Sequence, residues 1–410
     1  MNPPSQPSLP GEALALSPQR ERGLLLTLMA LQFTVIVDFM IMMPLSPQLM
    51  ADFGIQPAQF GLLVSSYSIA AGAAALLAAS IADRFDRRTA LLASYVGLMV
   101  STLACATATG FYSMLIARAI AGTFGGVLGS VALAIVGDVI PPQRRGHAMG
   151  IVMLAFSLAA VAGVPLGLYI ANHATWRTPF MALTGACALI LLFSWRTVPH
   201  VRGHLGGKPL SLFASYRELL SVPNHWWGFA TSALVMFAGF AVIPYIAPTM
   251  IANVGLDPHH LPYIYLVGGA VTLLSRPWIA RLTDAHRHAN VLAFTVFASF
   301  VPILLVTHTL HLGLAWQLGF SALFFIFVSG RFIPTSALVT ASSEPRLRGR
   351  VMAFNSAMQN LASGVAAATA GAIMVKAPDG ALLHYDWVGY LACVVGLFSV
   401  WTARKVRAVS

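Results

Sequence analysis

The sequence predicts an all-α membrane protein with twelve transmembrane helices in two six-helix, pseudo-symmetric halves. Of its 410 residues, 58% are hydrophobic and 9% are charged, whereas soluble proteins carry about 25% charged residues. So few charges cannot cover a water-exposed surface, and most of this surface must therefore face lipid. The apolar residues also form separate runs of about 20 residues, which is the length of a membrane-crossing helix.

Six apolar runs precede a longer polar segment, and six follow it. We predict helices near residues 23–49, 60–82, 89–109, 112–138, 147–171 and 178–196, and then near residues 225–250, 260–280, 290–308, 313–340, 351–376 and 386–403. The chain therefore divides into an N-terminal half (23–196), a cytoplasmic linker (197–223) and a C-terminal half (224–403). Residues 1–22 and 404–410 remain as cytoplasmic tails. The first tail is rich in Pro and Ser, which predicts disorder.

The linker contains a segment, 209–222, in which apolar and polar residues alternate at near-helical spacing. A short amphipathic helix on the cytoplasmic membrane surface fits this pattern. A linker without regular structure fits it equally well.

The basic residues predict the orientation of the chain. If both termini are cytoplasmic, most Lys and Arg residues lie on that side, and the opposite side has only Arg177 and Lys376. This bias follows the positive-inside rule. It predicts a multi-pass protein of the bacterial inner (plasma) membrane with both termini cytoplasmic. The net charge of +11 does not indicate nucleic-acid binding, which requires a basic patch on one exposed face.

The two halves share sequence features. Arg145-Gly146 precedes the fifth predicted helix, and Arg348-Gly349 precedes the eleventh; each pair follows a proline and further basic residues. Repeated halves around a central site are typical of transporters.

Four motifs resemble those of the major facilitator superfamily, and the resemblance covers nearly the whole chain beyond the first tail. The segment 80–88, SIADRFDRR, resembles the loop motif G-x-L-A-D-R-x-G-R-K/R, but Ser80 and Asp86 stand where that family usually has glycine. The other three are Arg118-x-x-x-Gly122, which is similar to R-x-x-x-G; Gly163-Val-Pro165-Leu-Gly167, which resembles the antiporter motif; and Asp38-Phe-Met, which matches the acidic position of bacterial efflux members. The resemblance implies the major facilitator fold and the drug:proton antiporter, arabinose-efflux-permease-like branch.

Asp38 is the candidate proton-coupling residue. Of the 13 acids in the chain, it is the only one near the centre of a predicted span. A charged carboxylate at mid-bilayer is costly, and such residues usually face a cavity and carry function. A structural hydrogen bond between helices is the alternative.

Arg118 on the fourth helix is the candidate partner of Asp38. Counting 1.5 Å per residue from the predicted helix ends places the two residues about 7–8 Å apart in depth, a gap that an arginine side chain can span. Two interpretations remain open. Arg118 forms a loose ion pair with Asp38, or it binds only backbone carbonyls of the first helix.

Polar and charged side chains inside the predicted spans are candidates for contacts with a solute in a central cavity. They are Gln32, Asp38, Arg118, Tyr245, Gln317, Arg331, Asn355 and Gln359. Buried amides usually satisfy helix partners instead. Arg331 has no acid in a neighbouring span, so we consider an anionic group of the substrate, backbone carbonyls or water as its partner.

The family resemblance implies a cytoplasmic gate formed by Asp83, Arg84, Arg87 and Asp138. Asp83 would lie near the start of the eleventh helix, where the helix dipole favours an anion, and a motif arginine would pair with Asp138. Solvated charges that only obey the positive-inside rule are the alternative.

The antiporter motif residues Gly163, Pro165 and Gly167 interrupt the fifth helix. They predict a hinge or a tight interface, because glycine permits close approach of helices and proline removes a backbone hydrogen bond. Ordinary close packing explains the same residues.

The sequence has no HExxH, nucleotide-binding Gly-rich loop or GxSxG motif, and the three cysteines form no CxxC pair. We therefore expect no enzyme activity, no cofactor and no metal site. The sequence predicts a monomeric secondary active transporter, a proton-coupled antiporter that exports small organic solutes such as drug-like compounds, sugars or metabolites by alternating access. Its partners are the solute, protons and the lipid bilayer, and not nucleic acid. A proton-independent facilitator or uptake permease, or a non-transporting solute sensor, are the alternatives.

Overall fold

The computed structural model describes residues 17–82, 85–141, 143–201, 212–308, 311–344 and 346–409 as a bundle of helices with one short β-hairpin. The helices up to residue 201 are α1 (Pro18–Ile41), α2 (Ser46–Asp52), α3 (Pro57–Ala82), α4 (Arg87–Ala106), α5 (Phe111–Val139), α6 (Arg145–Leu158), α7 (Val164–His173) and α8 (Arg177–Thr197). A π-helical turn, Ala159–Gly163, joins α6 to α7.

The remaining helices begin with α9 (Leu212–Leu220), which lies in the linker. After it come α10 (Pro223–Val242), α11 (Ile246–Ala252), α12 (Leu261–Ala285), α13 (His288–Thr307), α14 (Leu314–Gly330), α15 (Phe332–Ala341), α16 (Arg348–Ile373) and α17 (Tyr385–Ala403). Two 3-10 turns, Ile243–Tyr245 and Pro258–His260, precede α11 and α12. The strands β1 (Val375–Lys376) and β2 (Leu382–Leu383) pair antiparallel between α16 and α17, a hairpin that the sequence did not predict.

Ten helical segments of the described residues are long and apolar enough to cross a membrane. They match ten of the twelve predicted spans. The other two spans correspond to α12 and α16, which have 25 and 26 residues. Helix α12 carries charged side chains in its second half, and α16 carries both charged and amide side chains. These two helices nevertheless pack inside the bundle, with α16 lying along α3 and α12 along α14.

Proline accounts for several interruptions of the predicted spans, because it cannot donate the backbone hydrogen bond to the residue four positions earlier. Pro44 lies in the turn between α1 and α2, and Pro244 lies in the 3-10 turn between α10 and α11. Pro165 follows the π-helical turn, and Pro334 follows the break between α14 and α15 at Arg331. The first helix of each half therefore breaks at a proline near the same end of the bundle.

The prediction that residues 1–22 form a disordered tail is wrong for residues 18–22, which are helical. Helix α1 begins at Pro18 because proline is favoured in the first turn of a helix and the Ser17 hydroxyl accepts a hydrogen bond from the Arg20 N–H at 3.5 Å. Glu21 in this first turn forms an ion pair with Arg144 at 3.0 Å. Residues 1–16 lie outside the described part of the chain.

The bundle has two ends, which we name by their charge. The basic end comprises the described residues of the α3–α4, α5–α6, α12–α13 and α15–α16 connections, helix α9 and both ends of the described chain. The opposite end comprises the connections at residues 42–57, 107–110, 174–176, 243–260 and 374–384. Arg145 and Arg348 hold equivalent positions in the two halves of the sequence. They are the first residues of α6 and α16, at the basic end.

Helix α9 holds the linker against the basic end. Glu218 forms ion pairs with Arg346 at 2.5 Å and Arg350 at 2.9 Å, and these hydrogen bonds lower the pKa of the Glu218 carboxyl. Leu219 packs in a small cluster with Phe229 and other residues of the C-terminal half. The Tyr216 hydroxyl donates to the Leu76 carbonyl oxygen of α3. The linker thus contacts both halves.

Close packing of α3 on α5 depends on glycine. A methyl group added at Gly122 would lie 2.2 Å from the Tyr67 carbonyl oxygen, and one added at Gly126 would lie 2.3 Å from that of Ala71. These are backbone contacts, so no side-chain rotation relieves them. The glycine of the Arg118-x-x-x-Gly122 motif therefore sets the distance between the two helices.

We expect Gly122→Ala to lower the stability of the protein by about 1–3 kcal/mol, the usual cost of overpacking, because α3 must move away from α5. Thermal unfolding of the purified protein in detergent measures this loss. The matched control is Gly137→Ala on the same helix, where an added methyl group meets no atom within 4 Å. Equal melting temperatures for the two variants would refute the packing argument.

Candidate functional site

The centre of the candidate site is an ion pair between Asp38 on α1 and Arg118 on α5. Arg118 Nη1 donates to Asp38 Oδ2 at 2.9 Å and to the Asp38 carbonyl oxygen at 3.0 Å. The Thr102 hydroxyl on α4 donates to Asp38 Oδ1 at 3.0 Å. Both charged side chains have 0% exposure. Three helices of the N-terminal half thus converge on one carboxylate.

An aromatic ring completes the surroundings of the arginine. Tyr67 on α3 lies under the guanidinium, with Arg118 Cζ 4.3 Å from the ring centroid, a geometry in which the ring face attracts a cation. Arg118 Nε and Nη2 have no hydrogen-bond partner among the described residues. The guanidinium therefore has donors to spare if its contact with Asp38 changes.

The two interpretations of Arg118 both hold in part. The predicted first span runs to residue 49, but α1 ends at Ile41 and the chain turns before α2. Asp38 therefore lies closer to the end of its helix than the count of residues suggested. The ion pair is direct, and Arg118 also binds the backbone carbonyl of the first helix.

The antiporter motif packs against α1 beside Asp38. A methyl group added at Gly163 would lie 2.3 Å from Val37 Cγ2, and one added at Gly167 would lie 2.6 Å from Ile41 Cδ1. The π-helical turn before Pro165 places an extra residue in this part of the helix. The motif residues thus form a tight interface with the helix that carries the acid.

At the basic end, Arg87 Nε donates to Asp138 Oδ2 at 3.2 Å, which is the pairing that the family resemblance implies. Arg87 is nearly buried and Asp138 is one-third exposed. The other two predicted gate residues, Asp83 and Arg84, lie outside the described residues.

Asp86, the residue that departs from the family pattern, makes a cluster that the sequence did not reveal. It accepts hydrogen bonds from the backbone N–H groups of Arg88 at 3.3 Å and Val201 at 2.9 Å, and it contacts His200. Burial alone would raise the pKa of Asp86, but these hydrogen bonds, with that of His200 the strongest, lower it. Asp86 caps α4 and ties it to the end of α8, and only the capping preference of aspartate was readable from the sequence.

Tyr245 differs from its predicted role as a cavity residue. It is fully buried, and its hydroxyl lies 3.0 Å from the Ala367 carbonyl oxygen and 3.2 Å from that of Pro57. Pro57 belongs to the N-terminal half and Tyr245 to the C-terminal half. Nearby, Asn172 Nδ2 donates to the Pro258 carbonyl oxygen at 2.7 Å, also between halves. These hydrogen bonds join the two halves at the opposite end.

The remaining cavity candidates are scattered through the bundle. Gln32, Gln317 and Asn355 are buried, and the Gln32 Oε1 and Asn355 Oδ1 atoms have no hydrogen-bond partner among the described residues. Gln359 Nε2 donates to Ser232 Oγ at 2.7 Å. Arg331 is fully buried and donates to Ser299 of α13. Among the described contacts, none of these five side chains touches Asp38.

Comparison with known proteins finds a family model and relatives that match most of the chain. The family model of the Major Facilitator Superfamily matches residues 28–367. The chain is 26% identical over 353 residues to the uncharacterized MFS-type transporter YceJ of Bacillus subtilis (strain 168), covering 83% of this chain and 87% of that protein. A probable sugar efflux transporter of Helicobacter pylori (strain P12) is 24% identical, with 87% and 88% covered. A chloramphenicol resistance protein of Streptomyces lividans is 26% identical, with 88% and 91% covered.

A solved structure has the same fold. The crystal structure of a D-xylose-proton symporter aligns with a TM-score of 0.72 at 17% sequence identity, covering 93% of this chain and 97% of that chain.

We expect Tyr245→Phe to loosen the opposite end, because the variant loses the hydroxyl that bridges the two halves. A neutral hydrogen bond contributes about 0.5–1.5 kcal/mol, which corresponds to about 2- to 10-fold faster local opening. Hydrogen–deuterium exchange of residues 42–57 and 243–257 measures that opening. The control is Tyr265→Phe, whose buried hydroxyl has no hydrogen-bond partner among the described residues. The same exchange rate in both variants would exclude a bridging role.

Proposed function

The chain belongs to the Major Facilitator Superfamily, and from this premise we propose that it is a proton-coupled antiporter that exports small organic solutes by alternating access. The observation that carries the proposal is the ion pair of Asp38 and Arg118, buried together among apolar helices. A buried pair of this kind is costly to maintain as a purely structural contact. A carboxylate that must bind and release a proton explains why it is there.

The proton acts by removing the negative charge from the pair. With Asp38 ionised, its carboxylate balances the positive charge of Arg118, and Arg118 Nη1 lies 2.9 Å from Asp38 Oδ2. When Asp38 binds a proton, the guanidinium keeps the Asp38 backbone carbonyl and the face of the Tyr67 ring, but it loses its counter-charge. Leaving a buried charge unpaired costs about 3–5 kcal/mol. That cost favours a conformation in which water or solute reaches Arg118.

The change of conformation requires the contacts between halves to break and re-form. At the opposite end these are the hydrogen bonds of Tyr245 and Asn172. At the basic end, we propose that the Arg87–Asp138 pair, together with Asp83 and Arg84, holds the gate. We further propose that the basic end is cytoplasmic, according to the positive-inside rule, in a bacterial inner membrane. The protein then works as a monomer with twelve membrane-crossing helices.

The solute is proposed to be a small organic molecule, and two relatives suggest where to begin. One is a probable sugar efflux transporter and one is a chloramphenicol resistance protein. Gln32, Gln317 and Asn355 are the uncharged polar side chains we propose first for solute contact, because all three are buried inside the bundle. Tyr245, Gln359 and Arg331 are the further candidates. Chloramphenicol and arabinose are therefore the first probes for transport in proteoliposomes.

The alternative is a facilitator that moves the same solutes without protons. A pH gradient across proteoliposomes separates the two. An antiporter accumulates the probe against its concentration gradient on the acidic side, whereas a facilitator only equalises the two concentrations.

We expect Asp38→Asn to lower the accumulation of the probe that a pH gradient drives by at least about 10-fold. Exchange of labelled for unlabelled probe without a gradient should continue. The asparagine amide oxygen can still accept from Arg118 while its NH2 group donates to the Thr102 hydroxyl, so the protein should remain folded, but the amide cannot bind a proton at physiological pH. The matched control is Asp284→Asn, which removes an exposed acid on α12. Full pH-driven accumulation by Asp38→Asn would move the coupling site elsewhere.

We expect Arg87→Ala to slow turnover about 10-fold while the Kd for the probe changes less than about 2-fold, because a charge-assisted hydrogen bond of about 1.5–3 kcal/mol holds a gate and not the solute. Initial rates in proteoliposomes and equilibrium binding in detergent give the two values. Arg281→Ala, which removes an exposed arginine at the same end, is the control. A variant with normal turnover and weaker binding would contradict the gate assignment.

A further inference from the structure

A row of rings leads from the ion pair to the other half of the protein. Arg118 lies over Tyr67 at 4.3 Å, Tyr67 stacks on Phe39 with centroids 5.2 Å apart and planes at 29°, and Phe39 stacks on Phe240 at 5.7 Å and 27°. The first three residues lie on α5, α3 and α1 of the N-terminal half. Phe240 lies on α10 of the C-terminal half. We call these four residues the aromatic row.

We propose that the aromatic row transmits the charge state of Asp38 to the contact between the two halves, with Phe39 and Phe240 as positioning residues for transport. This inference rests on the proposed proton coupling at Asp38. It adds the route by which that proton changes the conformation.

Tyr67 has no room to move toward α5 when Arg118 moves. A methyl group added at Gly122 would lie 2.2 Å from the Tyr67 carbonyl oxygen, and one added at Gly125 would lie 2.6 Å from its hydroxyl. Helix α5 therefore already contacts both the backbone and the end of the Tyr67 side chain. A displacement of the ring is directed toward Phe39.

Phe39 responds to Asp38 in two ways. It is the next residue on α1, so a shift of the Asp38 backbone moves it directly. It also stacks on Tyr67, whose ring attracts Arg118 as a cation. When Asp38 is neutral, the guanidinium depends more on that ring, and the position of Tyr67 relative to Phe39 changes.

The last step of the row crosses between halves. Phe39 and Phe240 are both half-buried and pack against the core that residues of the two halves share. Tyr245, five residues after Phe240, makes the hydrogen bonds that join the halves at the opposite end. A shift of Phe240 is therefore passed along α10 to those bonds.

Hydrogen–deuterium exchange of residues 42–57 and 243–257 in the purified protein tests the row without knowledge of the solute. We compare exchange at about pH 5 and about pH 7.5, corrected for the intrinsic pH dependence of amide exchange. Facing Asp38 are Arg118 on α5, Tyr67 on α3 and the thiols of Cys105 on α4 and Cys187 on α8. Phenols and thiols are protonated throughout this range at their ordinary values.

The wild-type protein should show a pH-dependent difference in exchange that Asp38→Asn removes. The Asp38→Asn variant separates the contribution of Asp38 from that of any other group, because it removes only this carboxyl. We expect Phe39→Leu and Phe240→Leu to remove the part of the difference that depends on Asp38, about 2- to 10-fold for the loss of one aromatic pair.

Two control variants separate the proposed role of the ring from a general effect on core packing. Phe240→Tyr keeps the ring and should retain the pH response, while Phe237→Leu removes an aromatic residue one turn earlier on α10 and should also retain it. If Phe240→Leu fails to give a folded protein, Phe240→Met replaces the ring with a flexible side chain of similar volume.

The outcomes distinguish the two proposals. A pH response that Asp38→Asn abolishes but Phe39→Leu and Phe240→Leu leave intact would overturn the aromatic row and keep the proton site. A wild-type protein with no response, or with one that Asp38→Asn does not alter, would overturn both. An equal loss in Phe237→Leu would also overturn the row, because any change of core packing would then have the same effect.

Discussion

One ion pair in an apolar bundle sets the constraints on the rest of this protein. Asp38 and Arg118 are both fully buried and 2.9 Å apart, and neither charge can be stable there alone. The surrounding groups are arranged accordingly: the Thr102 hydroxyl binds the second carboxylate oxygen, and the Tyr67 ring lies on the guanidinium. Because the pair lies on α1 and α5 and contacts side chains of α3 and α4, any change in its charge acts on four helices.

Glycines allow close packing of the helices around the pair. Gly122 and Gly126 bring α3 against α5, and Gly163 and Gly167 bring the antiporter segment against α1. In lipid, helices associate through close packing and hydrogen bonds, since burial of apolar side chains gives no advantage over contact with lipid tails. The tight contacts therefore both stabilise the N-terminal half and make it move as a unit, which is a condition for passing a local change of charge to a distant interface.

The contacts between halves are of a different kind. Tyr245 and Asn172 bind backbone carbonyl oxygens across the interface, and Phe39 and Phe240 meet there as a stacked pair. Each contact is individually weak, of the order of 1 kcal/mol, so a few of them can be exchanged for others without unfolding either half. An interface of this strength suits a transporter that must pass between two conformations of similar energy.

The sequence by itself determined the membrane environment and the positions of ten apolar spans, because these depend on composition. Its motifs determined the resemblance to a transporter family, and the cost of charge in lipid singled out Asp38 as a candidate. The sequence also indicated Arg87 and Asp138 as a pair through a short motif. Only the tertiary structure decided that Asp38 and Arg118 are in direct contact, since the sequence is equally compatible with an arginine that binds backbone carbonyls alone. Likewise, Tyr67, Phe39 and Phe240 are ordinary aromatic residues in apolar runs, and Tyr245 looked like a cavity residue. Their roles follow from which helices pack together, and helix neighbours in a bundle are set by long-range contacts that no local pattern records.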